Sequence, residues 1–258
     1  MKILRYEADG DARYGILEED DSIRQLVGSP FGDFAAGDEV AQLDQVRVLA
    51  PVAPDKVIGV GLNYKDHIEE SGKEPPAFPM LFMKPSTAVI GPEEPIVYPP
   101  EGERVDYEVE LVAVIGREAR RVSERGALDY VLGYTCGNDV SARNIQLPEM
   151  AMGTLLIGKG FDTFCPLGPV IATGLDPTNI EVMTRLNGEE RQRANTSNLL
   201  FSVANLVSYI SQAITLEPGD VILTGTPEGV GPMQPGDVCE IEIDGVGVLR
   251  NSVVGEGD

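Results

Sequence analysis

The sequence predicts an α+β protein, mostly β, built around a large mixed sheet. Three observations lead there. Apolar residues gather in short runs of strand length, bounded by Gly, Pro and Asp turns. Clear helical periodicity is confined to a few places, and strands and helices nowhere alternate in a regular βαβ pattern. Taken in order, residues 1–50 carry the short apolar segments Met1–Tyr6 and Arg13–Leu17, interrupted by Gly- and Asp-rich turns, and predict a small β-rich N-terminal module. The stretch 48-VLAPVAPDK-56 has two prolines in four residues and reads as a linker, so 51–258 is expected to form the main domain. Strands are expected at 57-VIGVG-61, 110-ELVAVIG-116, 168-GPVIAT-173, 180-IEVMTRL-186, 221-VILTG-225, 238-VCEIEI-243 and 246-VGVLRNSVV-254. The turns 186-LNGEE-190 and Asp244-Gly245 predict hairpins, and two Pro-Gly-Asp turns, 218–220 and 235–237, each launch a strand. One helix is expected after 195-NTS-197, where Leu199, Leu200, Val203, Leu206, Val207 and Ile210 recur at steps of three and four; another is expected over Ser123–Leu132.

Composition narrows the function. The 258 residues hold 42 Asp plus Glu against 20 Lys plus Arg, a formal net charge of −22. Such a surface repels phosphate backbones and anionic lipid, which argues against nucleic-acid and membrane partners. No apolar run approaches the roughly 18 residues that span a bilayer. The start, MKILRYEADGD, has no signal-peptide pattern, and Cys136, Cys165 and Cys239 lack CxxC spacing. A cytoplasmic protein with reduced thiols is the expectation. Only six lysines stand beside fourteen arginines, and this acidic, lysine-poor surface points to adaptation to high salt, as in a halophile.

Several segments carry candidate chemistry. In 105-VDYEVELVAVIG-116 the alternation places Asp106, Glu108 and Glu110 on one strand face, an arrangement that suits either a hard divalent cation or an exposed acidic strand. In 133-GYTCGNDVSARNIQ-146, Asp139 supplies a further acid, Arg143 a planar fork for a carboxylate, and Gln146 a donor and acceptor; the same residues would also serve a capped surface helix. Lys159 sits between two glycines in 158-GKGFDTFCPLGP-169, where a buried lysine can stabilise an oxyanion. The loop 224-TGTPEGVG-231 offers Gly225 and Thr226 as donors. His67 is the only histidine, set among Asp66, Glu69 and Glu70 in 61-GLNYKDHIEESGKEPP-76, and reads either as a solvated helix turn or as a general base oriented by a carboxylate. One histidine excludes the His-rich sites of cupins, zinc hydrolases and non-haem iron enzymes. The segment 59-GVG-61 lacks the third glycine of a dinucleotide loop, and no G-x-S-x-G elbow occurs.

Together 59-GVGLNYKDHIEE-70, 79-PMLFMKPSTAVIGP-92, 105-VDYEVELVAVIG-116, 133-GYTCGNDVSARNIQ-146, 158-GKGFDTFCPLGP-169 and 221-VILTGTPEGVG-231 resemble the fumarylacetoacetate hydrolase family, in order and with family-like spacing from about residue 51 onward. Residues 1–50 resemble the short N-terminal module of its bacterial and archaeal members. The resemblance implies a mixed β-sandwich roll, usually homodimeric. It implies Mg²⁺, with Mn²⁺ or Ca²⁺ as alternatives, on Glu108, Glu110 and Asp139. It further implies His67 as general base oriented by Glu70, Lys159 against the substrate, and Arg143, Gln146, Gly225 and Thr226 on the substrate side. The fourth metal-side acid of the larger eukaryotic hydrolases has no clear match here. The expected substrate is a small 2-oxo acid and the leading expected reaction is C–C hydrolysis of an acylpyruvate. Isomerisation or decarboxylation of a hydroxymuconate-type diacid, oxaloacetate decarboxylation, and dehydration of a 2-keto-3-deoxy sugar acid are the other reactions expected of such a site, and a silent oxo-acid-binding protein is the non-enzymatic reading. The proline-rich 63–78 stretch is expected to be a lid that orders over substrate.

Overall fold

The structure is a computed structural model that describes residues 1–257. All seven expected strands from Val57 onward form, with ends shifted by a few residues. A twelve-stranded sheet runs through the molecule. Its path is Phe34–Gln42, Ser22–Gly28, Asp11–Leu17, Lys2–Ala8, Cys165–Ala172, Val131–Asn138, Val109–Ile115, Val221–Leu223, Val57–Gly61 and Met80–Lys84, with Arg47–Leu49 and Val89–Ile90 attached at its side. The N-terminal strands join the rest because Lys2 and Ile3 pair with Ala172 and Ile171. A five-stranded sheet of Glu189–Asn195, Glu181–Leu186, Val238–Ile243, Gly247–Gly255 and Ile96–Tyr98 packs across the central strands.

This stacking explains the unbroken apolar run Leu111–Ile115. Leu111, Ala113 and Ile115 enter the larger core, while Val112 and Val114 face a second core with Ile3, Leu167, Ile171 and Leu223. A strand buried on both faces loses the polar alternation of a half-exposed one.

The run 105–116 is not one strand, contrary to expectation. Val105–Tyr107 pairs with Ser141–Ala142 and Gly231–Met233 in a separate three-stranded sheet, and Glu108 stands at the break. Side chains satisfy the backbone there: Glu108 N donates to Asn138 Oδ1 at 2.9 Å, and Val109 N donates to Gln192 Oε1 at 3.0 Å. The break turns Asp106 away from the pair Glu108 and Glu110.

Helices depart furthest from the sequence reading. Helix α1, Lys65–Ser71, ends at Gly72, whose φ of 65° forms a left-handed cap. The expected lid 63–78 is therefore corrected in its first half. Asn63 and Tyr64 are buried, Tyr64 bridges Leu199, and Asp66 accepts from Asn198 Nδ2 at 2.7 Å, so 63–71 is a packed element. Helix α2, Arg143–Ala151, realises the helix left open around Asp139–Gln146, but it starts after Ala142 rather than at an Asp139 cap and runs on through Pro148; helix α3, Ile157–Gly160, was not anticipated. The helix expected over Ser123–Leu132 is a 3₁₀ segment, Glu124–Tyr130, because Val131 must enter its strand opposite Ile115. Helix α4 is Val203–Ser211, not a helix from residue 196. Asn195 caps only a 3₁₀ turn, Leu200 N donates to Asn63 O at 2.7 Å, and Ser202 Oγ accepts from Asn205 N to start α4.

Candidate active site

The break at Glu108 brings three carboxylates together. Glu108, Glu110 and Asp139 are all buried, and each offers an oxygen within 4.8 Å of the others. Asp139 arrives from the end of the neighbouring strand, its backbone N–H donating to Glu108 O at 3.0 Å. Asp106, on the same expected face, lies outside this cluster, engaged by Arg104 and Arg143.

Cations balance the acids. Lys159, 3 % exposed, bridges Glu108 Oε2 at 2.7 Å and Asp139 Oδ2 at 2.5 Å, with its Nζ 5.2 Å from the centre of the Phe82 ring. Burial alone would lower the Lys159 pKa, but the charges of Asp139 and Glu108 outweigh it and hold it above the ordinary value, so this side chain stays an ammonium. Burial would raise Glu108, yet Lys159 and Arg143 pull it well below the usual carboxylate range. Glu110 goes the other way: burial, then the charges of Asp139 and Glu108, push it well above its ordinary value. Its backbone partner is Gly225 N at 2.5 Å. Gly225 has φ +103°, and a Cβ there would stand 2.7 Å from Asn63 Cβ, so glycine is required for this approach.

An all-oxygen donor set of three buried acids, one of them strongly destabilised as an anion, fits a hard divalent cation. The wall of the same cavity, about 190 Å³ in volume, includes His67, Arg143, Gln146, Lys159 and Thr226 beside the three acids, with apolar Leu147, Met150 and Leu155. His67 Nδ1 lies 3.1 Å from Glu70 Oε2, one helical turn on, and Glu70 Oε1 accepts from Gly229 N at 3.4 Å. Thr226 Oγ1 accepts from Gln192 Nε2 at 2.9 Å. Glu70 stands behind His67, and Gly225 touches the acid cluster from outside the cavity wall.

Sequence reasoning missed three residues here. Lys84 is buried, and its ammonium bonds the Asp139 carboxylate and Val140 O. Its signal was a lysine ending the apolar strand 80-MLFMK-84 in a protein with six lysines. Asn63 ties α1 to the 224–231 loop through Thr224 O at 2.7 Å, and Ser141 Oγ donates to Glu108 Oε1 at 3.2 Å. Their contacts are long-range and leave no local pattern.

Fold and site together define a mixed-β protein with an acidic, lysine-bridged cavity. Residues 56–254 match the family model described as fumarylacetoacetate (FAA) hydrolase C-terminal, and residues 1–51 match one described as Rv2993c-like, N-terminal. The chain belongs to the fumarylacetoacetate hydrolase family. It is 43% identical to a 5-carboxymethyl-2-hydroxymuconate delta-isomerase from Mycobacterium smegmatis, with a TM-score of 0.92 covering 99% of this chain and 100% of that one. A mitochondrial oxaloacetate tautomerase of Rattus norvegicus is 44% identical, over 81% of this chain and 70% of its own. A fumarylpyruvate hydrolase from Pseudomonas aeruginosa, solved with Mn²⁺ and pyruvate, is 36% identical with a TM-score of 0.75, covering 84% of this chain and 92% of that one. The named relatives are thus an isomerase, a tautomerase and a hydrolase. Among the described residues no helix is long and apolar enough to cross a membrane.

Proposed function

We propose that this protein is a metal-dependent hydrolase that cleaves a C–C bond of an acylpyruvate to give pyruvate and a carboxylic acid. The observation that carries this reading is a single cavity holding the carboxylate triad, the Lys159 ammonium and a histidine already paired with a carboxylate. Glu108, Glu110 and Asp139 would hold Mg²⁺ or Mn²⁺, which supplies Lewis-acid polarisation of substrate oxygens. Arg143 and Gln146 bind the 2-oxo acid head. With its Nδ1–H donating to Glu70, His67 keeps the Nε2 lone pair free to take a proton from water. The water oxygen adds to the distal carbonyl, the C–C bond breaks, and its electron pair passes to the pyruvyl fragment as an enolate. Lys159 stabilises that negative charge, and return of the proton to carbon completes pyruvate. Residues 1–50 would form an accessory module on a catalytic unit of 51–258, and the working state would be a cytoplasmic homodimer.

A second reading, tautomerisation or isomerisation of a 2-oxo diacid, is favoured by the higher identity to the isomerase and the tautomerase than to the hydrolase. The same enolate stabilisation serves both, and they differ in whether water or only a proton is delivered. Purified protein with Mg²⁺ should be given acylpyruvate, oxaloacetate, a hydroxymuconate-type diacid and a ketodeoxy sugar acid, with products identified. Pyruvate and free acid from acylpyruvate are expected, and His67→Ala should reduce that turnover by about 10²–10⁴-fold while Mn²⁺ binding survives. Unchanged turnover in His67→Ala would falsify the base assignment. Exchange without cleavage would favour the second reading, and binding without any turnover a silent oxo-acid-binding protein.

A further inference from the structure

We infer that Asp106 is a positioning residue: it fixes the Arg143 guanidinium so that Gln146 presents its amide NH₂ to the substrate. The inference rests on the reading of Arg143 and Gln146 as the part of the site that binds the 2-oxo acid head. Asp106 is fully buried, on the short Val105–Tyr107 strand rather than among the three clustered acids. Arg104 alone satisfies its carboxylate in fork geometry, Nε to Oδ1 at 2.8 Å and Nη2 to Oδ2 at 3.1 Å. That fork engages both oxygens and leaves each a further lone pair. Oδ2 also accepts from Arg143 Nε at 2.8 Å.

That third bond sets the plane of a group whose remaining nitrogens face the site. Arg143 Nη1 donates to Gln146 Oε1 at 2.6 Å, and Nη2 meets Glu108 Oε1 at 2.6 Å. A guanidinium only donates, so the Gln146 oxygen must be the atom turned toward it. The Gln146 nitrogen then points elsewhere, and Gln146 lines the cavity. The chain of bonds therefore decides which end of this amide meets an incoming carboxylate or carbonyl. Without Asp106, Arg143 keeps two partners but loses the one that anchors its stem, and the guanidinium is free to tilt toward Glu108. Arg104 reaches the same carboxylate from outside and does not line the cavity.

The test compares Asp106→Asn, Asp106→Ala and Arg104→Ala by KM and kcat on the substrate found in the panel, by pyruvate affinity in calorimetry, and by Mn²⁺ affinity. Loss of a charge-assisted bond predicts about a tenfold to hundredfold rise in KM and in the pyruvate Kd for the Asp106 variants. Mn²⁺ affinity and kcat should move far less, and Arg104→Ala should leave KM unchanged. Coupling is the decisive readout: Asp106→Asn should raise KM by a smaller factor in a Gln146→Ala background than in the wild type, because the amide that Arg143 orients is gone while Arg143 itself remains. Asn keeps the shape of the side chain, so it reports even where Ala fails to fold. Folded Asp106→Asn with wild-type KM and pyruvate affinity overturns the inference alone, as does an equal effect from Arg104→Ala. A wild-type protein that neither binds pyruvate nor turns over any 2-oxo acid overturns the reading of the site and this inference with it.

Discussion

Lys159 shows what a single residue does in this site. Its ammonium lies between Glu108 and Asp139 with the Phe82 ring at its side, so it ties the acids together, and in the proposed reaction it is an electrophile fixed before substrate arrives. Removing one partner from a buried ion pair typically costs about 3–5 kcal/mol, because the remaining charges lose compensation without regaining water. Lys159→Met should therefore lower the melting temperature of the metal-free protein by several degrees. Saturating Mn²⁺ should raise the melting temperature of this variant more than that of the wild type, since a bound cation takes over the neutralisation of Glu108 and Asp139. A variant whose melting point ignored Mn²⁺ would count against the three carboxylates as a cation site. Turnover should not return with the metal.

Lys159 is held in place at the scale of elements, by the clamp between α2 and α3. Glu149 on α2 accepts from the backbone N–H groups of Leu156, Ile157 and Gly158 at 3.2, 2.8 and 2.9 Å, satisfying the start of α3. The two helices also interlock through Gly158, where an added Cβ would stand 2.5 Å from Gln146 N. Burial pushes the Glu149 carboxyl up, but its bonds from Gly158, Ile157 and Leu156 together outweigh that and hold it below its ordinary value of 4.5. A depressed folded pKa gives stability that is complete above the unfolded value and is lost as pH falls through the folded one. Glu149→Gln should thus be less stable than wild type at pH 7. The gap should start to close as pH falls past about 4.5 and vanish below the folded value. Thermal melts across that range are the check, and a gap independent of pH would remove the charge from the explanation. At pH 7 the variant should also lose turnover, because the clamp carries Lys159 and Gln146 together.

At the scale of the whole molecule the dominant quantity is the net charge of −22. Many surface arginines are paired, as Arg193 is with Glu181 and Glu190 and Arg250 is with Glu93, but the acids outnumber them. Exposed pairs contribute about 0–1 kcal/mol each, so they do not offset the repulsion of the rest. Salt at molar concentration shortens the Debye length to about 3 Å and screens that repulsion. The melting temperature is expected to rise between dilute buffer and molar KCl. A flat or falling curve would remove high-salt adaptation as an account of this surface. The site itself should respond less, since its acids and cations are paired at short range inside the protein.

The seven main strands were legible because the β pattern is local: apolar runs, Pro-Gly-Asp launches and Asn-Gly or Asp-Gly turns act within a few residues. The residues of the candidate site were legible as types, since carboxylates, a lone histidine and a rare lysine stand out in apolar or small-residue surroundings. Helix positions were less so, because Pro148 hides how far α2 extends and the pull of Val131 toward its strand turns an expected α-helix into a 3₁₀ segment. Tertiary structure alone decided the partition of the acids. Sequence alternation put Asp106, Glu108 and Glu110 on one face, and the strand break at Glu108 sends Asp106 to two arginines and the other two to Asp139. It also decided that Lys84 joins them from a distant strand. The physical reason is range: propensity and periodicity act between near neighbours, whereas the meeting of charges in a buried cavity is set by sheet order and register, which close only when the whole chain has packed.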